Sequence, residues 1–235
     1  MKVFQVINGV CAWETKHKSI KETIGMYPKA CLFVEAPDYV FRGWGYKTRD
    51  DEGKVLRGND RFIKPIPPEG KFYNDDNGKF IDADEYAVYV EKFMVAKQAA
   101  NKNALAAFLA SHPMTYTDGK QYGVTMEDQS EISLNLTQYK LQVDAGIENP
   151  VLQWHAVHEA CADWAPEALT QLALAISAYV YPWFNKMQAY KGQIYACTTK
   201  EEVEAITFDY RTEEEIAAEE AAKAAAEAEK AAKAQ

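Results

Sequence analysis

The sequence predicts an α+β protein: a small β-hairpin-rich N-terminal module, a connecting helix, a C-terminal domain of short strands packed with two amphipathic helices, and a charged Ala/Glu/Lys helical tail. Three observations lead there. Asn8-Gly9 and Asp118-Gly119 each separate two strand-like runs, and both dipeptides favour tight hairpins. From Pro166 to Ile194, apolar residues recur at Leu169, Leu172, Ile176, Val180, Trp183, Met187, Tyr190 and Ile194, the threes and fours of one continuous helical face. Residues 213–235 are almost wholly Ala, Glu and Lys, with near-maximal helix propensity and no apolar stripe to bury.

Taken in order, Lys2–Ile7 and Val10–Thr15 form the first hairpin. Ser19 and Glu22 make a capping box for a short helix ending near Tyr27-Pro28. Cys31–Glu35 is a third strand, Val40–Lys47 an imperfectly alternating fourth, and Arg61–Lys64 a returning strand. Gly43 and Gly45 suggest a bulge or a close backbone approach. Residues 1–64 therefore read as a β-rich module with one helix. Residues 65–83 hold a proline connector, Pro65-Ile66-Pro67-Pro68, and a hairpin of Lys71–Tyr73 with Lys79–Ile81. The turn Asn74-Asp75-Asp76-Asn77-Gly78 looks like a calcium loop. It lacks the alternate ligand positions and the later glutamate that an EF-hand requires, so a plain turn is the better reading.

Residues 84–113 read as a connecting helix ended by Ser111-His112-Pro113. Tyr86, Val90, Phe93, Ala100, Leu105, Phe108 and Leu109 lie roughly on one side, and the stripe fades through the polar, alanine-rich Lys97–Asn103. Tyr86, Val90, Phe93, Leu105 and Phe108 have a spacing that suits a neighbouring helix, either another copy of the chain or a core within it. Residues 114–210 form the C-terminal domain. Met114–Thr117 and Lys120–Val124 are a hairpin, and Thr125 caps a helix bearing Ile132, Leu136, Tyr139 and Val143 that Gly146 stops. Val151–Val157 is strand-like. The long helix starts at Pro166 behind a poor cap, Ala165, leaving Asp163 to supply an acceptor. Pro182 should bend it. Thr199 and Glu202 form a last capping box, and residues 211–235 are a solvated tail.

The 235 residues carry a formal charge of −9, which argues against nucleic acid as a partner because counterion release needs clustered Lys and Arg. No secretion signal is visible, and the most apolar stretch, Ala165–Phe184, is too polar to span a membrane. The four cysteines form no CxxC pair, and free thiols suit synthesis in a reducing cytoplasm. His155, His158, Glu159, Cys161 and Asp163 fall within nine residues and are of the types zinc prefers. In a strand His155 and His158 point to opposite faces, and HExxH is absent, so no metal or other cofactor is expected. With no G-x-S-x-G elbow, a catalytic residue is not expected either.

The stretch Met114–Gly119, the helix through Ile132–Val143, the Trp154 strand and the ending Ile194-Tyr195-Ala196-Cys197-Thr198-Thr199-Lys200-Glu201-Glu202-Val203-Glu204-Ala205-Ile206 resemble a C-terminal domain of unknown function. That domain belongs to tail and tail-fibre-associated proteins of tailed bacteriophages. The block Phe33–Val40 with Gly43-Trp44-Gly45, and Pro67-Pro68-Glu69-Gly70, resembles the opening of small phage tail or baseplate proteins. Ala165 stands where family members often have Thr or Ser. The resemblance implies a non-enzymatic structural or adaptor protein of the virion tail, made in the host cytoplasm, homo-oligomeric and contacting other tail or fibre proteins. An assembly chaperone absent from mature particles is the alternative, and a metal-dependent envelope hydrolase a remote one.

Overall fold

The computed structural model describes residues 1–17 and 19–233, with side chains described as far as Glu227. The fold is α+β, and the chain forms two compact units, Met1–Glu91 and Lys92–Gln235.

The first unit is built on an antiparallel five-stranded sheet: β1 (Lys2–Ile7), β2 (Val10–Glu14), β3 (Leu32–Ala36), β4 (Gly45–Tyr46) and β5 (Phe62–Ile63), in the order β3-β1-β2-β4-β5. Asn8 and Gly9 both have positive φ (50° and 74°), as the central pair of a type I′ turn must. Phe4 and Val6 share the face that packs on Val34, Ala36, Cys11, Val40 and Trp44. The expected strand over Val40–Lys47 shrinks to Gly45–Tyr46. Val40 N–H bonds back to Pro37 O and Trp44 N–H to Phe41 O, so Val40 and Trp44 enter the core from turns. Gly45 is a close approach, since a Cβ there would lie 3.4 Å from Ile63 Cβ. The short helix α1 (Ile20–Ile24) starts on the Ser19 hydroxyl, which accepts from Glu22 N–H, and ends at Gly25, before the expected Tyr27.

After the proline stretch, β6 (Phe72–Asn74) and β7 (Lys79–Ile81) pair as a hairpin. It is anchored in the same core, because the Tyr73 hydroxyl accepts a 2.6 Å bond from the buried Trp44 indole. The acidic turn is occupied with local bonds: Asp75 faces Lys64 Nζ at 2.6 Å, and Asn74 Oδ1 accepts from Asp76 N–H. Cys11, on β2, is buried in this core, which pushes its thiol up to about 11.

The second helix, α2 (Ala83–Ser111), crosses the division between the units. The second unit adds β8 (Met114–Thr115) with β9 (Gln121–Tyr122), α3 (Met126–Asp144), β10 (Gln153–Trp154) with β11 (Ala162–Asp163), α4 (Pro166–Ala196), α5 (Lys200–Ala205) and α6 (Glu213–Lys233). Leu169, Leu172, Ile176, Val180, Met187 and Ile194 of α4 are all buried, as their period requires, and Ile132 of α3 packs with them. The expected box of Thr199 with Glu202 is present, and Thr125, expected as a cap, forms a box with Asp128 as well. Gly146 ends α3 with φ +73°, while Ile147 N–H reaches Gln142 O and Gly146 N–H reaches Val143 O, the paired bonds of a Schellman stop.

The structure departs from the sequence-based expectations at several points. The strand expected over Val151–Val157 pairs only at Gln153–Trp154, although burial still alternates through Leu152, Trp154 and Ala156. Its continuation is diverted, because Val157 N–H bonds to Gln121 O and His158 turns the chain at φ +64°. Asp163 does not cap α4: its carboxylate accepts from Gln153 Nε2 at 2.8 Å, and Ala165 provides no side-chain bond. The polar middle of α2 is not a thinly packed spacer. Asn101 is only 2 % exposed, its amide donating to Met187 O at 3.0 Å and accepting from the Tyr210 hydroxyl at 2.5 Å. Ala100, expected on the apolar side, is exposed. Lastly, the tail is solvated only beyond its first two turns. Glu215 N–H bonds to Thr212 Oγ1 and Thr212 N–H to Glu215 Oε2, while Glu215 Oε1 meets His112 Nε2 at 2.8 Å. Arg211 adds pairs to Asp209 and Glu219.

Candidate functional site

The cluster at 155–163 does not assemble into a cation site. The strand-and-turn path sends its members apart: Glu159 pairs with Lys120 at 2.5 Å, Asp163 is held by Gln153, and His158 sits on the exposed turn. Among the described residues no group of three or more His, Cys, Asp or Glu could hold a metal ion.

Two of its members, His155 and Cys161, instead line a groove of about 330 Å³ between α3 and the β10–β11 ribbon. The α3 wall supplies Glu131, Leu134, Asn135 and Gln138, which recur at threes and fours and so project from one side of the helix. The floor is Trp154, buried in the core of this unit, with the exposed His155 ring lying over it at 5.4 Å and 21°. Asn135 Nδ2 donates to Gln153 O at 2.7 Å and ties the helix to the ribbon. The sequence signalled His155 and Cys161 but gave no sign of Glu131 or Gln138, which lie well upstream on a helix read only for its buried face.

A larger groove of about 460 Å³ lies along Ala104, Phe108 and residues 207–211. Its charged groups already satisfy each other: Arg211 donates to Asp209 and Glu219, and those bonds hold the Asp209 carboxyl well below the usual range.

The five α2 residues whose spacing suits a neighbouring helix fall mostly inside the chain. Tyr86, Val90, Leu105 and Phe108 are buried, and Phe93 is half-buried. Tyr86 stacks on Phe72 at 4.4 Å, and Phe108 packs on Trp183 at 4.6 Å. Packing within one chain accounts for those contacts. Large apolar side chains are left in solvent on α2 itself, at Val88 and Val95, and along α4. On α4, Leu174 (58 % exposed), Tyr181 (63 %), Phe184 and Tyr195 follow an outer stripe roughly a third of a turn from the buried face. Leu174, Tyr181 and Tyr195 are spaced by multiples of seven, so they stay aligned on a helix that pairs with another.

No protein-family model, curated protein or solved structure matches this chain. No helix among the described residues is long and apolar enough to cross a membrane.

Proposed function

We propose that the chain is a non-enzymatic structural or adaptor protein of a phage tail, in the fibre or baseplate region, acting through protein–protein contacts. The observation that carries this reading is the outer stripe of α4. Leu174, Tyr181, Phe184 and Tyr195 leave an apolar surface in water along a helix whose buried face lies roughly a third of a turn away. Aligned exposed apolar side chains of this size mark contact surfaces, because covering them removes area from water. The tail assignment is supported by the resemblance of residues 114–206, 33–45 and 67–70 to phage tail proteins. Tail components repeat about an axis, so the partners are other tail or fibre proteins and further copies of this chain.

Mass spectrometry of purified particles tests the reading. Peptides of this chain should appear in the virion at a stoichiometry matching a tail component. Abundance in the lysate with absence from mature particles would replace it with a transient assembly chaperone.

A further inference from the structure

In the first unit, the outer edge of β3 carries backbone groups that the fold leaves unused. Thr15 N–H bonds to Val3 O, so the backbone groups of Val3 point from β1 toward β2. Direction alternates along a strand, so Lys2, Phe4 and Val6 point the other way, to Ala36, Val34 and Leu32 of β3. The N–H and C=O of Phe33 and Glu35 therefore point outward from the sheet. Among the described residues, none of these four groups has a hydrogen-bond partner. Leu32, Phe33, Val34 and Glu35 all line one groove of about 380 Å³, although their side chains alternate between faces. What the four share is that backbone edge. Tyr46 of β4 and Phe62 of β5 form the opposite wall. Strands β3 and β5 end the sheet order, so the sheet curls until its two ends border one slot. Phe62 N–H is already given to Asn59 O, so β5 supplies a wall and β3 the open ladder.

We infer that this slot takes up a short, uncharged, extended segment of a partner polypeptide, which adds to the sheet as a sixth strand beside β3. Two donors and two acceptors repeating every second residue, about 7 Å apart, are the complement of an extended backbone. A helix has already spent those groups on itself. Edge strands that must stay single are blunted by lysine, proline or a bulge. Leu32-Phe33-Val34-Glu35-Ala36 has none of these, and it pairs with β1 without a break in register. Its one charged side chain is engaged, since Glu35 Oε1 accepts from Ile20 N–H at 3.1 Å. Glu35 and Arg61 give the slot balanced charge, which suits a neutral segment. Leu32 is 50 % exposed, and Tyr46 and Phe62 are half-buried, so apolar side chains at alternate positions of the segment would be covered. A globular copy fits less well, because a stable interface needs about 800 Å² from each partner and this slot borders one five-residue strand. That the segment belongs to another tail or fibre protein rests on the adaptor reading above; the strand chemistry rests on the edge alone.

The test is amide hydrogen exchange, read by NMR on the isotope-labelled full chain, with a capped pentapeptide of alternating valine and threonine as the probe. The control is the same peptide methylated at every backbone nitrogen, which keeps its side chains and loses its donors. In the dilute free chain, the Phe33 and Glu35 amides should exchange quickly and the Val34 amide, bonded to β1, slowly. The unmethylated peptide should shift the Phe33 and Glu35 resonances. It should also slow their exchange about sixfold, as a dissociation constant of roughly 1 mM gives at about 5 mM peptide. The methylated peptide should do neither. Three results overturn the inference: slow exchange at Phe33 and Glu35 in the dilute free chain, equal binding of the methylated peptide, or no response at any accessible concentration. Protection of the two amides on concentrating the free chain overturns the partner source and gives the slot to a second copy. None of these outcomes touches the particle composition, so the slot and the tail assignment fail separately.

Discussion

Gly123 has no need of a positive φ, yet only glycine fits where it stands. A Cβ built there would lie 2.5 Å from the Asp128 carboxylate. That carboxylate accepts from both the backbone N–H and the hydroxyl of Thr125, at 2.8 and 2.6 Å, completing the cap of α3. Gly123→Ala therefore expels the capping side chain, and should lower stability by about 1 kcal/mol, the ordinary worth of an N-cap. Urea unfolding of Gly123→Ala, Asp128→Ala and the double variant checks this. The two losses should overlap, because both remove the same bond; simple addition would mean that Gly123 acts otherwise.

Among the elements, α4 was the most legible in the sequence. Its eight apolar positions hold one helical phase over seven turns, and no other secondary structure accommodates that run. Ile176 lies at the centre of the face and is fully buried, so Ile176→Ala should cost about 2–5 kcal/mol through lost transfer energy and a cavity. The exposed Gln188→Ala should change stability by less than about 0.5 kcal/mol. Denaturation midpoints of the two variants provide the comparison. Short elements were harder to read. Strand β11 is two residues, Ala162-Asp163, neither of them β-branched or aromatic, and its partner's long strand-like run gave no hint that pairing stops after Trp154. The candidate site was legible only on its ribbon side. A composition cluster points to His155 and Cys161, whereas the free state of Glu131 and Gln138 depends on which neighbours happen not to reach them.

Helix α6 is pinned to its unit by charge rather than by apolar packing, and pH should therefore control it. Burial opposes a charge on His112, but the Glu215 carboxylate and the Phe108 carbonyl outweigh it, so the imidazole pKa rises above 6.5. Glu215 is held below 4.5 by Thr212 N–H and by His112. A raised histidine adds stability that is complete below 6.5 and fades as pH climbs through its folded value. A lowered carboxylate adds stability that is complete above 4.5 and fades as pH drops through its folded value. The contact is thus strongest between 4.5 and 6.5. Truncation after Thr212 should lower the thermal midpoint most in that window, and less at pH 3 or pH 9. His112→Gln should remove the loss at high pH. A pH-independent effect of truncation would mean that α6 is held by something else.

For the whole molecule, the question is where copies or partners meet. A charge placed at Val90 would unfold the chain, since that side chain is only 1 % exposed. The informative changes lie on the outer stripe of α4. Light scattering should show self-association of the unmodified chain that weakens when Leu174 and Tyr181 are both replaced by Glu, with circular dichroism unchanged. A monomer at every concentration would assign the stripe to a different protein.

The buried Asn101 matters at this scale too. On the inner side of α2 it stands with Leu105, Phe108 and Leu109, apolar side chains buried along with it. A slip of one turn, about 5.4 Å, would strand a carboxamide and the Tyr210 hydroxyl away from water, each without its partner. Asn101 works as a key: it contributes little adhesion, and it penalises every alignment of the two helices but one.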